Sequence, residues 1–336
     1  MGGAVDELAL PFLLFIPSNM TKRRQDKTTT LANAIHELVH DGDRVAMGLC
    51  LESLIPFAAG HELIRQGKKD LSLIGPISDI LFDELIGAGC VKEAIAAWVG
   101  NVGAGLGHNF RRAVEKAIPR PLALQEHSNF TITLALKAAA LGVPFLPTRT
   151  GAGGDIIKNE AAFGVVICPF TGERLTAVKA IVPDVTILHV QRADVFGNAH
   201  MWGNLGVAVE AAYAADRVIL TCEEMVDREI IAADPNRTLI PGILVDAVVH
   251  EPLGAHPSPV QGFWKRDDAY FLRYHECSRT REDFLTWFKE WATDLPNREV
   301  YRTKLGAQQV DILRITEQRL PIGEVNYGFS HATRNT

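Results

Sequence analysis

Asp70-Leu71-Ser72-Leu73-Ile74-Gly75, followed by Ile77 through Gly87 and then Val91 through Val99, is the stretch whose reading decides the fold. Its first and third segments are short runs that are apolar on both faces, whereas the middle segment is helical in pattern and ends at a glycine. Strand, helix, strand in that order is a βαβ unit. Its strands run parallel, and the crossover helix covers one face of their sheet.

The alternation continues on both sides of this stretch. Upstream, Thr28-Thr29-Thr30 offers an N-cap to a helix whose Leu31, Ala34, Ile35 and Leu38 share one face, and Asp41-Gly42-Asp43 stops it. Arg44 to Leu49 then reads as a strand and Pro56 to Gly67 as a helix. Downstream, Leu106 to Ala117 and Ser128 to Leu141 read as helices, Val143 to Leu146 as a short strand, and Gly151 to Glu160 as an irregular loop. Val165 to Pro169, Val185 to Gln191, Arg217 to Cys222 and Leu244 to Val249 follow as strands, with helices at Leu205 to Ala215 and Cys277 to Asp294. The expected fold class is α/β, an open and mainly parallel sheet with helices on both faces. No repeat of fixed period and no low-complexity linker divides the chain, so a single domain is expected over 28–320. Residues 1–27 read as a poorly ordered N-terminal extension and 321–336 as a C-terminal tail, with Met20 as the expected natural start because periodic structure begins only near Thr28.

Composition narrows the function. Of the 336 residues, 47% are hydrophobic and 22% charged, which excludes disorder, collagen-like repeats and a disulfide-stapled miniprotein. The formal net charge of −6 is too acidic for affinity based on nucleic-acid phosphates or anionic lipid, so neither nucleic acid nor membrane is an expected partner. Cys50, Cys90, Cys168, Cys222 and Cys277 are scattered, without C-x-x-C or metal-ligand spacing; no metal and a reducing, cytoplasmic setting are expected. Leu8 to Ile16 is apolar but short, contains Pro11 and follows Asp6 and Glu7, so it reads as neither a membrane span nor a signal peptide.

Three glycine-rich loops follow predicted strands. Gly100-Asn101-Val102-Gly103-Ala104-Gly105-Leu106-Gly107 can present backbone N–H groups and a helix N-terminus to an anion, or can be no more than a tight turn. As a dinucleotide motif it is incomplete, with His108 where the third glycine belongs and Pro119 and Pro121 interrupting the path to Glu126. Thr150-Gly151-Ala152-Gly153-Gly154-Asp155 is either a ligand-approach loop or a mobile surface loop. Gly48-Leu49-Cys50-Leu51-Glu52-Ser53 closes the first strand at its carboxyl end, where open α/β sheets place their ligands. Glu52 is its candidate acid, with a solvated first-turn residue as the plainer reading, and Cys50 reads as a small buried hydrophobe. Alternation puts His189 and Gln191 on one strand face, satisfying each other in the interior or aimed at a ligand. Glu223-Glu224 can perturb one another's ionisation but is expected to cap the next helix, and His250, Glu251 and His256 to belong to a rigid turn around Pro252 and Pro257. No G-x-S-x-G, H-E-x-x-H or Walker A pattern is present.

Taken together, these segments resemble a known family. Val245-Asp246-Ala247-Val248-Val249 through Pro252-Leu253-Gly254-Ala255-His256-Pro257, His189-Val190-Gln191-Arg192-Ala193-Asp194 and Gly197-Asn198 are similar to the alpha subunits of class I coenzyme A transferases, most of all the glutaconate CoA-transferase type. Leu136 through Pro147, Thr221-Cys222-Glu223-Glu224, Glu62 through Gly67 and Leu305-Gly306-Ala307 agree in content and order, so the resemblance runs from about Thr28 to the region of Arg314. It implies pairing with a beta subunit in a heterodimer or α2β2 assembly, with acyl-CoA and carboxylate substrates and no tightly bound cofactor. It further implies a glutamyl-CoA thioester formed on a glutamate of the beta subunit. This chain then supplies the facing wall, with Gly48, Cys50, Glu52, Gly75, Asn101, Gly103, Gly105, Asn129 and Gln191 as its expected residues. Leu49-Cys50-Leu51 departs from the glycine-rich loop with Phe usual in the family, which implies a narrower and greasier pocket and an acyl group less polar than glutaconate. Two alternatives follow from the same resemblance. One is a subunit of a ring-opening hydrolase for CoA-linked steroid intermediates, which places an acid near the start of the helix where Asn129 stands, with Glu126 one turn earlier. The other is a non-catalytic partner subunit.

Overall fold

The computed structural model describes residues 25–317 except 152 and 160. The expected Met20 start, nearly all of the N-terminal extension and the C-terminal tail lie outside the described residues. Lys27, assigned by sequence to the extension, is buried and donates its backbone N–H to Val195 O at 2.9 Å.

Helix α1 (Leu31–Leu38) begins where the Thr30 side chain, on extended backbone, accepts a hydrogen bond from Asn33 N. Strand β1 (Arg44–Ala46), α2 (Phe57–Arg65), β2 (Leu71–Ile77), α3 (Ile80–Gly87) and β3 (Val91–Trp98) then alternate. A hairpin of β4 (Gly100–Asn101) and β5 (Gly105–Leu106) precedes α4 (His108–Lys116), β6 (Ala123–Glu126) and α5 (Asn129–Ala140). Strand β7 (Phe145–Thr148), α6 (Asp155–Asn159), β8 (Phe163–Ile167) and β9 (Arg174–Lys179) come next. The sheet resumes with β10 (Val185–Ala193), β11 (Ala199–His200), α7 (Ala208–Ala214), β12 (Arg217–Met225), α8 (Arg228–Ala233), β13 (Thr238–Ile240) and β14 (Ala247–His250). Helices α9 (Asp268–Cys277), α10 (Arg281–Phe288), α11 (Arg298–Leu305) and α12 (Ala307–Leu313) close the described chain.

Parallel strands run in the order β14-β12-β10-β1-β2-β3-β6, and β11 and β13 extend the sheet antiparallel beside the end of β10. Successive residues face opposite sides. Val45, Leu73, Ile187 and Ile219 enter one core with α1, α2, α3, α9 and α10, while their neighbours Ala46, Ile74, Leu188 and Leu220 enter a second core with α5 and α7. Both faces are thus dry over the central strands, as the α/β expectation requires, while the edge strand β6 has no fully buried residue.

Local expectations failed where local pattern was ambiguous. A small antiparallel sheet, β7-β9-β8, stands apart from the main one; its central strand β9 mixes Thr and Lys with apolar residues and carries no clean strand pattern. Part of the expected loop at 151–160 forms α6. The helix expected from Cys277 to Asp294 starts later, at Arg281, where the Thr280 side chain accepts from Asp283 N, and stays helical through Thr293; Cys277 instead ends α9, a helix the sequence reading did not expect.

Candidate functional site

The carboxyl ends of β1, β2 and β3 bring three loops together. Gly48 has φ +66, and a Cβ there would collide with Ser78 Oγ; a Cβ on Gly75 would lie 2.6 Å from Met47 O. Only glycine allows these strand ends to approach so closely. Ser78 Oγ donates to Met47 O at 3.2 Å across the gap. Backbone strain gathers here too: Leu51 (φ 59), Leu54 (φ 54) and Asp79 (φ 46) are non-glycine residues with positive φ. Neighbouring segments hold the strained loop, with Ser258 Oγ donating to Glu52 O at 2.6 Å, Leu54 N to Pro259 O at 3.0 Å and Val207 N to Leu49 O at 2.9 Å.

Two buried carboxylates organise the wall from within. Asp79 accepts Val102 N at 3.1 Å through Oδ1, and its Oδ2 lies 2.8 Å from Arg266 Nη2, in ion-pair range although the N–H is not aimed along that line. Burial raises its pKa despite the opposing charge of Arg266. Asp83 accepts Phe110 N at 2.7 Å, Tyr274 Oη at 2.6 Å and Asn109 Nδ2 at 3.1 Å, and burial raises its pKa as well. The anion at the N-terminus of α4 is therefore the chain's own Asp83, and the N–H of Val102 in the glycine-rich loop is taken by Asp79. That corrects the reading of Gly100 to Gly107 as an open anion cradle, and with it the dinucleotide option.

The expected wall residues divide on inspection. Gly48, Gly75, Asn101 and Gly103 belong to this cluster; Asn101 is buried, donates to Phe271 O at 2.7 Å and accepts Gly103 N at 3.0 Å. Gly105 sits in the exposed β4–β5 hairpin, with open space around it. Glu52 has a side chain 53% exposed, 3.9 Å from Arg266. Leu49 and Cys50 point into the core beside Ile74 and Ile95, and burial pushes the Cys50 thiol up to about 12. Their bulk therefore narrows no pocket, whereas Leu51, the third residue of that departure, is only half-buried. Asn129 is the exposed first residue of α5 and shares no hydrogen bond with the cluster among the described residues. Gln191 is fully buried, donating to Trp202 O at 2.8 Å. Neither it nor His189 satisfies the other: His189 contacts Thr221 Oγ1 at 2.8 Å and Glu223 Oε1 at 2.9 Å. Glu223 also accepts Leu253 N at 3.0 Å and Trp264 Nε1 at 2.7 Å, so it braces the core rather than capping a helix.

Sequence reasoning missed Asp79, Asp83 and Arg266. Lys265-Arg266-Asp267-Asp268 looks like a solvated charge run; the available signal was a polar Ser78-Asp79 directly after an apolar strand. Beside the hairpin, a groove of about 400 Å³ is lined by Ala96, Trp98, Leu106, Phe110, Val114 and Leu124. Among the described residues no group of three or more His, Cys, Asp and Glu side chains could hold a metal ion, and no helix is long and apolar enough to cross a membrane.

Comparison with known proteins supplies the remaining constraint. Residues 28–251 match the family model described as Coenzyme A transferase. The chain is 42% identical over 276 residues to the A-type chain of the 3-oxoadipate CoA-transferase of Pseudomonas knackmussii, covering 82% of this chain and 97% of the relative. It is 36% identical over 306 residues to the A-type chain of the glutaconate CoA-transferase of Acidaminococcus fermentans, covering 86% and 95%. The crystal structure of glutaconate coenzyme A-transferase from that organism superposes with a TM-score of 0.82 at 35% identity, over 87% of this chain and 96% of the other. A cholesterol ring-cleaving hydrolase IpdA subunit of Rhodococcus jostii is similar at the lower identity of 27% over 289 residues, 82% of this chain and 94% of the relative.

Proposed function

The chain belongs to the coenzyme A transferase family, and we propose that it is the alpha subunit of a heteromeric CoA-transferase, working with a beta-type partner whose glutamate is the nucleophile. The observation that carries this reading is similarity to the corresponding chains of two transferases along nearly their whole length, at 97% and 95% of each. The site agrees with it. Its wall is tightly built, yet its cysteine is a buried thiol with a raised pKa, and Glu52 is a half-exposed carboxylate with only a long ion pair. A wall of this kind shapes a site whose nucleophile comes from elsewhere.

In the proposed reaction the partner's carboxylate attacks the thioester carbonyl, expelling CoA thiolate and leaving an acyl-glutamyl anhydride. The thiolate then attacks the glutamyl carbonyl, which releases the first acid and forms glutamyl-CoA. A second carboxylate attacks that thioester and CoA returns to the new anhydride's acyl carbonyl, so the glutamate is regenerated. This chain's contribution is a preorganised, water-excluding face, whose loop N–H groups and buried charges are taken up in holding one another in place. Both transferase relatives are named for short dicarboxylic acids, and we take that class as donor and acceptor here. The ring-opening alternative gains no support from the site, where Asn129 offers an amide and Glu126 an exposed side chain.

Affinity capture of the chain from its native lysate, followed by a CoA-exchange assay, tests the proposal. A partner bearing the glutamate, with exchange between short dicarboxylic acids, is the expected result. Capture of a partner without the glutamate, or hydration without exchange, overturns it.

A further inference from the structure

Arg266 stands where the three loops meet. Its guanidinium lies 2.8 Å from Asp79 after β2, 3.9 Å from Glu52 after β1 and 3.0 Å from Asp268 at the start of α9. It also stacks 3.7 Å above the ring of Phe271, whose carbonyl accepts the Asn101 amide after β3. Among the described residues, no other cation pairs with Asp79 or Glu52. Through Asp79, Arg266 also reaches the Val102 N–H, so one side chain links every loop of the wall.

The link is of the kind that can be lost without unfolding the sheet. Asp79, deprived of its cation, can take up a proton and still accept the Val102 N–H. Glu52 and Asp268 are solvent-accessible and tolerate the loss. What disappears is the side-chain link from Glu52 to Asp79 and the loop after β3, while the backbone of the loop after β1 keeps its bonds to Ser258, Pro259 and Val207.

We propose that Arg266 is a positioning residue for CoA transfer, fixing the loops after β1, β2 and β3 as one rigid face; the inference rests on the transferase reading above. Misplacing such a face by a fraction of an ångström slows the chemical step more than it weakens substrate binding.

The test uses the assembled alpha–beta complex. Arg266→Gln is expected to lower kcat by about tenfold or more, with KM for the acyl-CoA changed by less than about threefold and the Tm of the complex lowered by only a few degrees. Arg266→Lys, which keeps the charge but not the planar stack, is expected to recover part of the lost kcat. Glu52→Gln cuts one arm of the link and is expected to lower kcat by about threefold, which keeps the proposal testable if Arg266→Gln does not assemble. An active wild-type complex whose kcat is unmoved by either Gln substitution overturns the assignment alone. A large Tm loss without recovery by Lys makes Arg266 a stability residue and also overturns it. A correctly assembled wild-type complex without any CoA exchange overturns the transferase reading instead.

Discussion

A methyl group added at Gly206 would collide with the Leu49 carbonyl oxygen, at a residue whose φ is +50, whereas one added at Gly142, φ +69, would meet nothing within 4 Å. Gly206→Ala is therefore expected to cost about 3 kcal/mol or more, from left-handed strain plus a backbone clash, and Gly142→Ala about 1 kcal/mol from strain alone. Urea melts of the two variants check the difference, and equal losses would remove the argument that the β1 loop is pinned against its neighbour. Thiols separate in the same residue-by-residue way. Hydrogen bonds from the Thr171 side chain and the backbone of Phe170 and Thr171 lower the Cys168 pKa, whereas burial raises Cys50, Cys90 and Cys222 to about 12. Brief alkylation of the native chain at pH 8 is expected to label Cys168 first, read by peptide mass spectrometry. The burial of Cys50 was legible from its apolar neighbours; the accessibility of Cys168 comes from a turn that spacing does not reveal.

At the scale of elements, α5 shows how a local signal survives into the fold. Ser128 accepts Thr131 N at 3.1 Å, and the Thr131 hydroxyl accepts Ser128 N at 2.9 Å, a reciprocal cap on the helix that carries Ile132, Ala135 and Leu136 into the core. Ser128→Ala is expected to lower stability by about 1 kcal/mol, measured as a shift of the urea midpoint at unchanged m-value. Strand β9 was illegible for the opposite reason. Strand β9 exists because β7 and β8 flank it, with Val178 facing both Leu146 and Phe163, contacts made from distant parts of the chain. The glycine-rich loop after β3 was visible as a motif, but which anion it meets depended on α3 presenting Asp83 and on the turn after β2 presenting Asp79.

For the whole molecule, buried histidines set an acid limit. Burial lowers the pKa of His256 and of His127 from 6.5 to about 4. Below 6.5 the unfolded chain binds protons that the folded chain does not, so stability is complete above that pH and falls as the pH drops toward 4. Each histidine contributes on the order of 3 kcal/mol to that loss. Thermal melts from pH 7.5 to 4.5 are expected to show a falling Tm below about 6.5. Because burial raises the pKa of Asp79 and Asp83, which acts in the opposite direction, the test compares variants: a pH dependence of Tm that is the same in His127→Gln and His256→Gln as in the unsubstituted chain would contradict the neutral burial of the rings. The same packing makes the family-level architecture robust, since two cores share one sheet and each strand residue serves one of them.

Sequence by itself determined the alternation of strands and helices, the parallel sheet and the resemblance to the transferase alpha subunits, because these follow from periodicity and from segments read along the chain. His189 and Gln191 were correctly placed on one buried face, since a period of two needs no partner to be seen. Tertiary structure alone decided that Glu223 braces the core, that Leu49 and Cys50 turn into the core, and that Asp79 and Arg266 meet beyond the carboxyl ends of β1 to β3. The physical reason is distance along the chain: Asp79 and Arg266 approach to 2.8 Å only after the sheet has formed, and local pattern carries no record of which charge a fold will bury beside which.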